Sequence, residues 1–211
     1  IGLNGPDSNG KGRPVYEVVK TDYTLADAKS VKNKEGQTVQ ELTVPLVYKN
    51  ADGIEVIKSF RFQQGEYPIV VSHKVVNRSQ QNWQGQMFGQ LKRDNSEDPG
   101  KSDQGIFTLG TFLGGAWGTP DEHYNKLKFA NFSEEKLATE AKGGWVAMVQ
   151  HYFVSAWVPG SLKLTQADGQ PYVAKLESRK STDDMNIIGF TSPTMNVPAG
   201  TVAEIDATFY S

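Results

Sequence analysis

The sequence contains no cysteine, which removes structural disulfides and thiolate metal sites at once. That absence is neutral about compartment, since a cysteine-free domain folds equally well in reducing and oxidising surroundings. Histidine is scarce, with three in 211 residues. No apolar run approaches the roughly 18–20 residues needed to span a bilayer, and no signal peptide pattern is visible. Charge of one sign is missing too. The 22 Lys and Arg stand among 24 Asp and Glu, for a formal net charge of -2. A basic field for nucleic acid phosphates is therefore excluded. The chain starts at Ile1 and not at Met, so it is expected to be a piece of something longer.

What is present is a foldable composition. Hydrophobic residues make up 37% and charged residues 22%, as in a folded globular domain. Mean hydropathy is -0.49, which keeps the surface well solvated. The length suits one large all-β unit, and residues 1–211 are read as a single domain.

Period-two patterning dominates after an opening loop, Ile1 to Pro14, rich in Gly, Asn and Pro. Leu42, Val44, Leu46 and Tyr48 make one apolar face. Asn50-Ala51-Asp52-Gly53 follows as a tight turn. Ile54, Val56, Phe60 and Phe62 resume the face, interrupted only by Lys58. Further strands are predicted over Ile69–Val76, Trp83–Leu91, Ile106–Trp117, Tyr172–Glu177, Met185–Phe190 and Thr201–Tyr210. Arg93 to Gln104 is polar and breaker-rich and predicts a surface loop. Trp145 to Val158 predicts one central strand, apolar on both faces, with Trp145, Val149, His151, Phe153 and Trp157 on one side. One short helix is expected at Phe132–Ala141, with Ser133 as its N-cap. The fold class is an all-β sandwich of antiparallel strands with little helix.

Catalytic and metal-binding patterns are not found. His73 shares a face with Ile69, Val71 and Val75 and reads as a hydrogen-bonded core histidine. His123 follows Asp121-Glu122 in a polar loop, and neighbours in a row do not converge on an ion. His151 reads as buried, with ligand stacking the sharper alternative. Asp183-Asp184 reads as a turn. There is no nucleophile elbow, HExxH motif or phosphate-binding glycine loop. The expected catalytic, cofactor and metal sites are therefore none, and the chain is read as a non-enzyme.

The stretch Thr111 to Pro159 holds three of the four Trp. Trp145 and Trp157 are assigned to the core by alternation. Trp117 and Tyr124 flank the polar turn Gly118-Thr119-Pro120-Asp121-Glu122, and aromatics beside a rigid turn are common interface anchors. Trp117, Thr119, Asp121, Glu122, Tyr124 and Lys126 are the candidate partner-binding residues.

Several motifs carry a family resemblance. They are Gly5-Pro6-Asp7, Arg13-Pro14, Phe88-Gly89-Gln90-Leu91-Lys92, Thr119-Pro120-Asp121-Glu122 and Lys142-Gly143-Gly144-Trp145-Val146-Ala147-Met148, continuing to Tyr152-Phe153 and Ala156-Trp157-Val158-Pro159. In order and spacing the chain resembles the large periplasmic domain of YidC, the bacterial inner-membrane protein insertase. The resemblance implies a β-supersandwich similar to the galactose mutarotases. It implies a place on the periplasmic side of the inner membrane, between the first two transmembrane helices. Insertion itself would belong to the transmembrane bundle. The domain would be an accessory docking module, meeting SecF and SecD of the Sec translocon through about residues 111–159, and possible contact with nascent membrane proteins follows from the same role. Strands before Ile1 and a linking helix after Ser211 are also implied. An exposed sheet edge or apolar face, and self-association, are the corresponding expectations. The alternative from another class is a carbohydrate-binding or mutarotase-like domain, and fold alone does not decide between them.

Overall fold

The hairpin around Asn50 shows how local chemistry starts this architecture. The Asn50 side-chain oxygen accepts hydrogen bonds from the Asp52 and Ile54 amides at 3.1 and 2.9 Å. Gly53 supplies the positive φ of 95° that closes the turn. Tyr48 then faces Val56, and Val44 faces Phe60, as the alternation requires. The computed structural model describes residues 1–6, 14–96, 112–150, 152–164 and 168–211.

Seventeen strands are found among these residues. They are β1 (Gly2–Asn4), β2 (Glu17–Val18), β3 (Lys29–Lys32), β4 (Thr38–Lys49), β5 (Ile54–Gln63), β6 (Ile69–Asn77), β7 (Trp83–Arg93), β8 (Gly114–Gly118) and β9 (Asn125–Lys128). After them come β10 (Ala138–Lys142), β11 (Trp145–Val149), β12 (Val154–Leu164), β13 (Gln170–Pro171), β14 (Val173–Lys180), β15 (Asn186–Thr191), β16 (Met195–Val197) and β17 (Val202–Tyr210). Short 3-10 turns at Leu25–Asp27 and Phe129–Phe132 are the helical elements described.

The strands form two antiparallel sheets. The smaller runs β1-β7-β15-β14-β10, with β16 also on β7. The larger runs β2-β4-β5-β6-β17-β12-β11-β8-β9, with β3 on β4 and β13 on β12. One row of paired residues crosses the inner face of the large sheet from Leu42 through Phe62, Ile69, Phe209, Trp157, Val146 and Trp117 to Asn125. The small sheet covers the middle of this row. Trp157 and Val146 are buried there, and Trp157 packs against Phe190 of β15 with ring centroids 6.2 Å apart. Met87, Leu176, Ile188 and Phe190 supply the opposite wall of the core. Towards Leu42 and Phe62 the row emerges, and Phe62 is 40% exposed.

Lys58 sits within the inner face, in a row with His73 and Ile205. Its ammonium lies 5.2 Å from the Phe60 ring centroid and donates to the Ile1 carbonyl at 3.0 Å. Burial lowers its pKa by disfavouring the charged form.

Three expectations about elements are corrected. Phe132–Ala141 is not a helix: a 3-10 turn ends at Phe132 and β10 begins at Ala138. Leu137 and Ala141 are four apart, which suits a helix face, but they are also on one face of a strand. Pairing of β10 with β14 settles the ambiguity, because tertiary hydrogen bonding outweighs a short segment's propensity. Trp145–Val158 is not one strand but the hairpin of β11 and β12. Its tip exposes Tyr152 and Phe153. The opening segment, expected to be all loop, contributes β1, with Leu3 buried against the core. His151, residues 7–13 and residues 97–111 lie outside the described residues, with parts of the expected loop and of the Ile106–Trp117 strand.

Candidate functional site

The hairpin reversal changes the roles of the tryptophans. A single strand would put Trp145 and Trp157 on the same face. In the hairpin, Val146 pairs with Trp157, so Trp157 turns inward and Trp145 turns outward. Trp157 is core as expected. Trp145 is half-buried and stacks on Tyr124, with centroids 6.0 Å apart and an interplanar angle of 29°. Trp117 lies on the inner row and packs against the core while remaining half-buried. The expected core placement of Trp145 is therefore corrected: it is half-buried outside the core cluster.

The turn between β8 and β9 is tightly built. The Thr119 amide donates to the Glu122 carbonyl at 2.8 Å, and the Glu122 amide donates back to the Thr119 hydroxyl at 3.0 Å. Asn125 donates from its side chain to the Glu122 carboxylate at 3.2 Å. At Gly118 a Cβ would stand 2.3 Å from the His123 carbonyl oxygen and 2.5 Å from Trp145 Nε1, so only glycine fits. Asp121, Glu122 and His123 are exposed on this turn. Tyr124 is 56% exposed. The Lys126 ammonium lies 5.1 Å from the Phe112 ring centroid and 5.8 Å from that of Tyr124.

The six candidate residues thus fall within one small region but on two faces. Tyr124 and Lys126 project on the outer side, where Trp145 also lies. Trp117 faces inward, at the open end of the core row. Trp117, Glu122 and Lys126 also line a hollow of about 480 Å³. Its other wall is Glu135, Lys136, Leu137, Ala138 and Thr139, with Asn125 and Leu127 on the near side. That second wall is not visible in the sequence, because Phe132–Ala141 also fits a helical period. The period-two signal was nevertheless there, in Leu137, Thr139 and Ala141.

Among the described residues no group of three or more His, Asp or Glu converges as a metal site. His73 is fully buried, and neither ring nitrogen has a hydrogen-bond partner among the described residues. The core placement was expected, but the hydrogen bond was not found. Burial, helped by the Lys58 charge, holds its pKa down at about 3. Asp183 and Asp184 form a turn, with Asp184 at a φ of 57°. Hydrogen bonds from Ser181 and Lys92 lower the Asp183 pKa to about 2. A second hollow of about 390 Å³ is lined by Asn50, Asp52, Gln80, Gln81, Asn82 and Trp83 among others. Asn77 holds its rim, donating to the carbonyls of Gln81 and Val197, both at 2.8 Å. No helix among the described residues is long and apolar enough to cross a membrane.

A family profile described as the YidC periplasmic domain matches residues 1–211. A membrane protein insertase YidC from Stutzerimonas stutzeri is 41% identical over 208 residues, covering 99% of this chain and 33% of that protein. One from a Marinomonas species is 39% identical over 210 residues, covering 100% of this chain and 34% of that protein. The chain therefore spans about a third of the length of these relatives. Among solved structures, a putative aldose 1-epimerase from Klebsiella pneumoniae superposes with a TM-score of 0.49 at 10% identity, covering 84% of this chain and 56% of that one.

Proposed function

Because this chain belongs to the YidC periplasmic domain family, we propose that it is a non-catalytic docking module on the periplasmic face of the bacterial inner membrane. In this role it assists the insertion and folding of membrane proteins and meets SecF and SecD of the Sec translocon through about residues 111–159. The observation that carries this reading is the β8–β9 turn. A rigid, doubly hydrogen-bonded turn holds Asp121 and Glu122 in solvent beside the exposed Tyr124 and Lys126. An aromatic anchor in a ring of mixed charge is what a small transient interface requires. The test is crosslinking in membranes from photoreactive groups at Asp121, Tyr124 and Lys126 of the full-length protein. Adducts with SecF or SecD support the docking role, and adducts with neither remove it.

The amide-rich hollow beside Trp83 favours one second reading, binding of a neutral saccharide. A sugar titration followed by Trp fluorescence decides it. Saturation at low millimolar concentration supports that reading, and a flat titration eliminates it.

A further inference from the structure

The two sheets part at the β9 end. Among the described residues β9 closes one side of the large sheet and β10 closes one side of the small sheet. Among the described residues each strand has one flank paired, β9 with β8 and β10 with β14. The hollow of about 480 Å³ lies between them. We propose that this seam receives an extended polypeptide segment of a partner protein, which adds as a strand to the free flank of β9. The proposal rests on the docking reading above and specifies the chemistry of the partner.

In an antiparallel strand, alternate residues turn both their N–H and C=O groups to the same flank. An edge strand therefore presents a row of groups that another chain can pair with. Three consecutive β9 residues, Asn125, Lys126 and Leu127, line the hollow, whereas β10 contributes only Ala138 and Thr139. The edge that meets the cavity along its length is thus β9. At about 3.3 Å per residue its four residues extend roughly 13 Å, which sets an occupant of about four to five residues.

The side chains then constrain composition. Trp117 of β8 is half-buried beside the hollow, while Leu127 and Leu137 are already buried, so inward residues of the added strand meet one aromatic ring and otherwise polar surface. The charges around the hollow are Glu122, Glu135, Lys126 and Lys136, two of each sign. They produce no net field to favour a phosphate or a strongly charged peptide, so the occupant is mostly uncharged. Lys126 and Lys128 alternate with the inward pair Asn125 and Leu127. Charged residues of this kind guard an edge against indiscriminate pairing, and here they leave the inner side of the strand open. Recognition through main-chain bonds, with specificity from alternate side chains, is the mode known as strand addition.

The test uses an acetylated, amidated pentapeptide of alternating Thr and Val, added to the whole chain. At saturation, amide hydrogen exchange should slow about tenfold at residues 125–128. A twin peptide methylated on alternate backbone nitrogens should have no effect, because it keeps the side chains and loses the donors. Thr139→Arg, which fills the seam from the facing wall, should weaken peptide binding at least about tenfold with Tm unchanged. Protection confined to another edge or found nowhere, or equal binding by the methylated twin or by Thr139→Arg, overturns strand addition at β9. Co-purification of the full-length protein with the translocon is read in parallel. If Tyr124→Ala abolishes co-purification while the peptide leaves β9 unprotected, docking stands and strand addition falls. If the peptide protects β9 while co-purification ignores both Tyr124→Ala and Thr139→Arg, strand addition stands and the docking reading falls.

Discussion

His73 is carried neutral in the core, and this gives the fold a defined acid sensitivity. Its folded pKa of about 3 lies below the ordinary value of 6.5. Between those two values the unfolded chain binds the proton and the folded chain does not. The contribution of neutral His73 is therefore complete above pH 6.5 and is lost as pH falls towards 3, by an amount on the order of a few kcal/mol. Asp27, Glu55, Asp94 and Asp183, all lowered by their hydrogen-bond partners, lose their contributions in the more acidic carboxylate range. Urea unfolding between pH 7 and 5 should thus show stability falling with pH, and His73→Met should flatten that slope. An unchanged slope would mean that another group titrates. The aromatic residues divide in the same way between fold and surface. Trp157→Ala should destabilise by about 3–5 kcal/mol, since the ring is buried between Phe190 and Phe209. Tyr124→Ala should leave Tm nearly unchanged and weaken association with the translocon by roughly 1–3 kcal/mol. Thermal unfolding and co-purification on both variants check the pair.

At the scale of elements, the β8–β9 turn couples fold to site. Gly118 permits the His123 carbonyl and the Trp145 indole to approach the backbone together. Gly118→Ala should force them apart at a cost of about 1–3 kcal/mol. It should also unstack Tyr124 from Trp145, so docking should fall by more than stability alone explains. A variant with full docking per folded molecule would show that the stack is irrelevant to the interface. The β4–β5 hairpin was legible because Asn50, Asp52 and Gly53 make a turn with local hydrogen bonds. The β11–β12 reversal was not, because Gln150 to Phe153 contains no Gly, Pro or Asn to signal a turn. What closes it includes the Gln150 amide donating to the Phe153 carbonyl at 2.8 Å, within a pairing register that long-range packing selects. β10 is hidden in the sequence for a related reason. Its five residues satisfy either period, and only the neighbouring β14 decides between them.

For the whole molecule, the large sheet outreaches the small one. Its inner row is sealed at Trp157 and Val146 but opens towards Leu42 and Phe62. Leu42, Val44, Leu46 and Phe60 are all half-buried on that side. Apolar surface of this kind invites a second copy. Sedimentation of this chain should show concentration-dependent association, and Phe62→Lys should abolish it. Strictly monomeric behaviour of the unaltered chain at millimolar concentration would show that the face is adequately solvated as it stands.

Sequence alone determined the β class, the antiparallel pairing of the long strands, the absence of thiol chemistry and the family motifs. These follow from local terms: alternation with period two, turn residues and composition. The resemblance, carried by motifs such as Lys142–Met148, also directs the docking proposal to residues 111–159. Only the tertiary structure decided which tryptophan turns inward, which wall faces β9 and where the sheets part. Each of those depends on pairing between residues distant in the chain. A one-residue change of phase, or a reversal without turn residues, moves a side chain to the opposite face without altering the local pattern.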